Sequence, residues 1–589
     1  MFESILVANR GEIAVRIIRA AREMAIRTIA VFSDADEGAL WTRLADEAHR
    51  LGPAVASESY LSIPRLMEVA KAAGAAAVHP GYGLLSESAE FARAVEEAGL
   101  VFIGPEAPTI AMMGDKVEAR RAAQSCGVPV LPGTDRPVGS LEEALALADH
   151  IGWPIAVKAS FGGGGRGMRV ATNPDQLGPA LEQAAREAAS AFGRAEVFLE
   201  RFLMRPRHIE VQVLGDSHGN VIHLGDRDCS VQRRHQKLLE EAPAPALPPL
   251  LRARISDAAI TLCRSVGYRG AGTVEFLADV ADESFFFLEM NTRLQVEHGV
   301  TELVTGIDLV RQQILVATGA PLQIRQEDVV LRGHAIQGRI AAEDPWEGFR
   351  PTPGKVRSLK LPLGPWVRLD FGIEQGDSVP QFYDSMFGKV QAWGATRDEA
   401  RARLALALDS LAVEGVSTTA PYLRTLIDRY AFVAASHDTG SLERDWLPDA
   451  SGRPAKLEPL DETASRRSER SVGVPWGGRI VDVAVYGLAP ASGGIPAASG
   501  QRPDRRASAV ATGGGPLVTS PMDAVIISLG SAVGDRVAKG DPILLLEAMK
   551  MEVVIAAPHD GIVEAIHVAA GDTVKTGAKL VTVLQEARG

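Results

Sequence analysis

Short apolar runs alternate with amphipathic stretches from the first residues onward. Ile5 to Ala8 is an apolar run closed by Asn9-Arg10-Gly11; Ile13, Ile17, Ala20 and Met24 then recur at helical spacing, before a second apolar run from Thr28 to Phe32. A buried strand giving way to a 3.6-residue period and back predicts a parallel strand-helix-strand unit. A second unit runs from Ala75 to Val78, through His79-Pro80-Gly81-Tyr82-Gly83, into a helix around Ser86 to Ala98. Ile155 to Lys158 and Met168 to Ala171 read as strands flanking Gly162-Gly163-Gly164-Gly165-Arg166-Gly167. Thr273 to Leu277 and Phe285 to Asn291 read as a hairpin around Asp282-Glu283-Ser284.

Near the C-terminus the pattern repeats. Ser520-Pro521-Met522-Asp523-Ala524-Val525-Ile526 matches Ala557-Pro558-His559-Asp560-Gly561-Ile562-Val563, and Gly534-Asp535-Arg536-Val537 matches Gly571-Asp572-Thr573-Val574, both at an offset of 37 residues. Two related halves of short strands, each with one apolar face, predict a small flattened β-barrel or sandwich. Glu547-Ala548-Met549-Lys550-Met551 falls at their junction, an exposed hairpin on which a long covalent arm could hang.

Composition narrows the class. A chain of 589 residues suggests about three or four domains. A formal charge of -12 argues against a general nucleic-acid binder. Cys126, Cys229 and Cys263 are too widely spaced for a disulfide framework or a zinc site and fit a reducing compartment. Met1-Phe2-Glu3-Ser4 lacks a signal peptide's layout, and no stretch approaches about 18 uninterrupted apolar residues, so a cytoplasmic location without a membrane span is expected.

Three stretches carry candidate chemistry. Consecutive glycines let backbone amides wrap phosphate oxygens, with Lys158 and Arg166 adding charge; the flanking strands make this a strand-loop-strand phosphate cover. A dinucleotide fingerprint is excluded at the first turn, where only Gly11 is present. In the hairpin, Glu289 and Asn291 share a face and Glu275 can lie opposite them, hard oxygen ligands suited to Mg²⁺ beside nucleotide phosphates. The neighbours Phe276, Phe286, Phe287 and Leu288 predict buried strands whose acids need a cation. Arg293 and Glu297 follow directly, a cation and a potential base that could activate a small anionic substrate. Gln232-Arg233-Arg234-His235-Gln236-Lys237 reads by itself as a solvated basic loop.

These motifs together resemble a known family. Gly225-Asp226-Arg227-Asp228-Cys229-Ser230, Arg233-Arg234-His235-Gln236-Lys237 and Glu289-Met290-Asn291-Thr292-Arg293 are similar to biotin carboxylases of the ATP-grasp superfamily, and the pentapeptide around Lys550 resembles the attachment signature of biotin carboxyl carrier domains. The resemblance implies an α/β multidomain chain: a Rossmann-like pre-ATP-grasp domain (1-115), an ATP-grasp domain with a glycine-rich lid (116-330), a biotin carboxylase C-terminal domain (331-445), a connector and flexible linker (446-515) and an all-β biotinyl domain (516-589). By the same resemblance Lys116, Lys158, Gly164, Gly165 and His208 contact ATP, Glu200, Arg201, Phe202 and Leu203 form the adenine hinge, and Gln232 and His235 lie at the nucleotide. Glu275, Glu289 and Asn291 match the Mg²⁺ or Mn²⁺ positions, Lys237, Arg293, Gln295 and Val296 the bicarbonate site, and Glu297 the base. Arg339 matches an arginine that stabilises the biotin enolate, and Lys550 carries the biotin.

The implied activity is ATP- and bicarbonate-dependent carboxylation of biotin by the α subunit of an acyl-CoA carboxylase. Implied partners are a biotin protein ligase, a separate carboxyltransferase β subunit serving an acyl-CoA acceptor, and further copies in a homo-oligomer or α/β multimer. Another ATP-grasp ligase, or a carrier subunit with an inactive nucleotide domain, would share parts of this pattern. Phe161, Gly299, Gln337 and Asp523-Ala524 depart from the family pattern. Arg479 to Tyr486 could be a strand, and Ala489 to Gly515 reads as a tether that lets a carrier visit two sites.

Overall fold

The apolar runs of the first hundred residues become one parallel sheet: Ser4–Val7 (β1), Arg27–Ser33 (β2), Glu47–Gly52 (β3), Ala77–His79 (β4) and Val101–Phe102 (β5), in the order β3-β2-β1-β4-β5. The computed structural model describes residues 1–134, 136–159, 168–192, 196–448, 453, 469–476, 479–486, 517–549 and 551–585. Helix Gly11–Glu23 (α1) supplies the first crossover, and its Ile13, Ile17 and Ala20 join β1's Ile5 and Val7 in one buried cluster. Both faces of this sheet are covered, which is why its strands read as continuous apolar runs.

Farther on, Ile155–Ala159 (β6), Met168–Ala171 (β7) and Val197–Arg201 (β8) form a small antiparallel sheet in the order β7-β6-β8. The strand boundaries around the glycine run are those expected, while Phe161, Gly164 and Gly165 lie outside the described residues.

An eight-stranded sheet carries the rest of the nucleotide-binding half and continues into the next domain. Its strands are Arg207–Gly215 (β9), Val221–Arg233 (β10), Gln236–Ala242 (β11), Gly270–Asp279 (β12), Ser284–Asn291 (β13), His334–Ala341 (β14), Val367–Phe371 (β15) and Met386–Gly394 (β16). The order is β13-β12-β9-β10-β11-β14-β16-β15. One face packs Ile209, Val211, Val213, Val274 and Phe276 against helix Pro249–Ser265.

The C-terminal repeat forms two four-stranded sheets. Ala524–Leu529, Arg536–Val537 and Pro542–Ala548 recur as Gly561–Ile566, Thr573–Val574 and Lys579–Gln585, each at the 37-residue offset read in the sequence. Each sheet takes strands from both halves, and Ala524, Ile526, Leu546, Val563 and Val583 fill the space between. Strand Arg479–Tyr486 forms as expected, paired with Glu469–Trp476. The tether at 489–515 lies outside the described residues. Among the described residues no helix is long and apolar enough to cross a membrane.

Candidate active site

Period-two alternation along β9 builds the floor of the site. Ile209, Val211 and Val213 face the core, which turns His208, Glu210 and Gln212 to the opposite face. Antiparallel β12 sets Glu275 beside Glu210 and Thr273 beside Gln212, and β10 sets Arg227 on the other side of Glu210. These polar side chains are buried.

The basic stretch 232–237 proves to be a hairpin tip. Gln232 pairs with Lys237 and Arg233 with Gln236, leaving Arg234 and His235 in a two-residue loop at φ 45° and 67°, as the twist of such hairpins requires. Both loop residues are exposed and Gln232 is buried. The solvated-loop reading therefore holds for the tip and fails at Gln232 and Arg233, which are buried, and at Lys237, whose side chain the strand register returns to the floor. Its Nζ lies 2.6 Å from Glu210 Oε2, 3.0 Å from Glu275 Oε1 and 2.7 Å from Glu297 Oε1. Burial would favour the neutral amine, but three carboxylates outweigh it and hold Lys237 protonated, well above the ordinary lysine range.

Glu297 sits at the start of helix His298–Thr305 (α2) and makes no capping bond, so its carboxylate is free for the site. Arg339, from β14, donates from Nη2 to Glu297 Oε2 at 2.9 Å and from Nε to Glu240. Burial acts to raise the Glu297 pKa. Lys237 and Arg339, with Arg227 behind them, overcome it and keep the group ionised well below the usual carboxylate range.

Glu275 is a buried hub: His208 Nε2 lies 2.7 Å from Oε2, while Asn291 Nδ2 and Gln295 Nε2 donate to Oε1 at 2.9 and 2.6 Å. Glu289 lies opposite Glu275 in register, as expected of the hairpin, but its side chain is exposed and Leu288 is 41% exposed. The expectation of two buried acids is thus corrected. β13 is the last strand of the sheet, joined on its outer side by a bridge from Val130 to Phe287 and by the Phe287 N–H bond to the Pro129 carbonyl at 2.7 Å, with Glu289 beyond them. The donor types still suit a hard divalent cation: Glu275 and Glu289 are register partners on adjacent strands and Asn291 lies two residues beyond Glu289, with its Nδ2 turned to Glu275 and its Oδ1 to Arg293. Arg293 donates to Asn291 Oδ1 at 2.8 Å and to Glu87 at 3.0 Å, and the Val296 carbonyl accepts from buried Lys389 at 2.8 Å.

The other nucleotide candidates form a second group. Lys158 pairs with Glu200, to which Arg120 also donates at 3.3 Å. Arg201 and Phe202 are latched by backbone bonds to Pro132 and Pro154, both 2.8 Å, and Leu203 is buried. Lys116 opens helix Lys116–Ser125. Sequence reading missed Glu210, Gln212, Arg227, Glu240 and Glu87. For Glu210 and Gln212 the signal was present as the alternation His208-Ile209-Glu210-Val211-Gln212; Arg227 and Glu240 are joined to the site only across strands, and Glu87 from a turn 206 residues away from Arg293.

The C-terminal β domain rests on the third domain through its hairpin. Ala548 pairs with Met551, leaving Met549 and Lys550 between the strands; Met549 adopts φ 51°, and Lys550 itself lies outside the described residues. The Met549 N–H donates to the Gln381 carbonyl at 2.9 Å, and its side chain joins the buried cluster that contains Phe349, Val379 and Tyr422. Arg350 Nη1 donates to the Pro521 carbonyl at 3.3 Å.

Family models match this architecture segment by segment: biotin carboxylase, N-terminal domain, over 1–110; carbamoyl-phosphate synthase L chain, ATP binding domain, over 115–325; biotin carboxylase C-terminal domain over 337–444; and biotin-requiring enzyme over 516–583. The biotin-dependent acyl-coenzyme A carboxylase alpha3 subunit of Mycobacterium leprae is 44% identical over 98% of both chains. The chain belongs to the biotin-dependent carboxylase family. It is a biotin carboxylase, a ligase, joined to a biotin carrier domain. Biotin carboxylase 1 of Bacillus subtilis is 48% identical over 75% of this chain and 98% of its own. Among solved structures, the biotin carboxylase domain of Hydrogenobacter thermophilus 2-oxoglutarate carboxylase, in complex with MgADP, ADP and bicarbonate, has a TM-score of 0.69 at 43% identity, covering 75% of this chain and 97% of that one. The Campylobacter jejuni biotin carboxylase ATP complex has a TM-score of 0.71 at 46% identity, covering 75% and 99%.

Proposed function

We propose that this biotin carboxylase charges the biotin carried on its own Lys550 and acts as the α subunit of an acyl-CoA carboxylase. The observation that carries the first part is the Glu297 carboxylate, clamped between Lys237 and Arg339 and one side chain away from the metal-suited Glu275. The second part is supported by full-length similarity to the Mycobacterium leprae subunit.

Lys116, Lys158, His208, Gly164 and Gly165 hold the ATP phosphates, with Glu200, Arg201, Phe202 and Leu203 at the adenine and Gln232 and His235 nearby. Mg²⁺ or Mn²⁺ at Glu275, Glu289 and Asn291 supplies positive charge to those phosphates when bound. Lys237, Arg293, Gln295 and the Val296 backbone hold bicarbonate. As the anion draws Lys237 and Arg339 toward itself, Glu297 loses part of the field that depresses its pKa and accepts the bicarbonate proton. The freed oxygen attacks the γ-phosphate, the bond to ADP breaks, and the resulting carboxyphosphate yields CO₂ and a phosphate that takes the biotin N1′ proton. Arg339 faces the negative charge that develops as that proton leaves.

ATP cleavage is expected to require both bicarbonate and biotin; turnover indifferent to biotin would point to another ATP-grasp ligase. Glu297→Gln should lower kcat by about 10²- to 10⁴-fold with little change in KM for ATP. Intact mass should show one biotin, absent from Lys550→Ala. A separate carboxyltransferase subunit should co-isolate with the chain, and carboxyl transfer to acetyl-, propionyl- and longer acyl-CoA then identifies the acceptor.

A further inference from the structure

Beneath the floor of the site lies a guanidinium that no substrate could reach. Arg227 is fully buried, and each of its five N–H groups has a partner: Nε donates to Glu210, Nη1 to Gln212 Oε1 at 2.8 Å and Thr301 Oγ1 at 2.9 Å, and Nη2 to Thr273 Oγ1 at 3.1 Å and Gln295 Oε1 at 3.3 Å. A buried cation with every donor satisfied holds its neighbours rigidly, since breaking any one bond strands a polar group away from water.

Two of those neighbours face the substrate. Glu210 receives Arg227 on one oxygen and Lys237 on the other. Gln295 receives Arg227 on its amide oxygen and gives its amide nitrogen to Glu275. An arginine can only donate and an ionised carboxylate can only accept, so the amide cannot turn over between them. Gln295 therefore presents N–H, never C=O, toward the space bounded by Lys237, Arg293 and Glu297.

We infer that Arg227 is a positioning residue for the anionic substrate: it fixes Gln295 as a donor and, by neutralising Glu210, leaves the Lys237 charge available to the same anion. This rests on the bicarbonate reading of the site above and adds to it a residue that touches no reactant. Arg227 also ties the floor to Thr301 of α2, the helix that Glu297 precedes, linking the anion-binding donors and the base through one side chain.

The test uses the full biotinylated chain and steady-state ATP cleavage, with bicarbonate and ATP varied separately. Arg227→Lys keeps the charge but loses the fork, and is expected to raise KM for bicarbonate about tenfold or more while KM for ATP stays within about twofold. Gln295→Ala should do the same, and the double variant should be no worse than Gln295→Ala alone by more than about twofold, because Arg227 acts through the amide. Multiplying effects in the double variant, or equal rises in both KM values, would overturn the inference. Should Arg227→Lys fail to fold, Gln295→Glu decides. Its carboxylate still satisfies Arg227 but sets an acceptor against Glu275 and the anion, so the chain should melt lower than the parent, and in the folded variant KM for bicarbonate should rise about a hundredfold. An unchanged KM there would refute the donor assignment. Parent ATP cleavage indifferent to bicarbonate would instead refute the underlying reading.

Discussion

Two departures from the family pattern have physical explanations in single side chains. A Cβ at Gly299 would lie 1.8 Å from Gln391 Oε1, and Gln391 is fully buried with Nε2 bound to Asp370 at 2.8 Å. Gly299 is in the first turn of α2, where a proline is tolerated by the backbone, so Gln391 alone occupies the room a ring would need. Gly299→Pro is expected to cost about 1–3 kcal/mol by overpacking and to lower the melting temperature; adding Gln391→Ala should recover at least half. No recovery in the double variant would sink this account. Gln337 donates to Glu240 Oε2 at 3.1 Å, and Glu240 in turn receives Arg339, so the amide supports the arginine through one carboxylate. A further residue-scale effect is acid sensitivity. Burial favours protonation of Glu241, but hydrogen bonds from His334 and Arg397 bring its pKa down to about 2. A depressed carboxylate stabilises the fold above its unfolded pKa, so this contribution is lost as pH falls from about 4.5 to about 2. It amounts to about 3 kcal/mol at most. Glu241→Gln should flatten the pH dependence of unfolding in that window, followed by tryptophan fluorescence.

At the scale of elements, the carrier domain is the same strand plan used twice. Gly534 and Gly571 occupy equivalent turns at φ 95° and 91°, and a Cβ at either would meet nothing within 4 Å. Any cost of substitution is therefore conformational rather than steric crowding. Gly534→Val and Gly571→Val should each destabilise the carrier by about 1–2 kcal/mol, seen as a lower melting temperature of its own transition. Unequal effects would mean that the two halves are not mechanically equivalent. The β10-β11 hairpin makes the complementary case: its two-residue loop fixes the register, and the register alone turns Lys237 inward.

Across the whole molecule, the carrier meets the carboxylase through Met549 and the Gln381 carbonyl. Burying a methionine contributes about 1.5–3 kcal/mol, enough to dominate so small a contact. Met549→Asp should reduce ATP cleavage per biotinylated chain about tenfold or more, with biotin content checked by mass, while carboxylation of free biotin is unchanged. Equal loss with free biotin would place the defect in the carboxylase instead.

The sequence by itself determined the elements and the inventory of the site. Short apolar runs between turn signals located β1, β6, β7 and the β12-β13 hairpin to within a few residues, and the 37-residue offset foretold that strands of one carrier half recur in the other. Motif resemblance named Lys237, Glu275, Gln295, Glu297 and Arg339, which the fold brings together. These signals are local or carried by residue identity, and a chain retains both without folding. What only the tertiary structure decided is packing between distant segments: that Arg227 lies beneath Gln295, 68 positions away, that Glu289 is exposed on the last strand of its sheet, and that Met549 seats beside Gln381. Burial and hydrogen-bond partnership between distant segments are properties of packing, and packing has no local period to read.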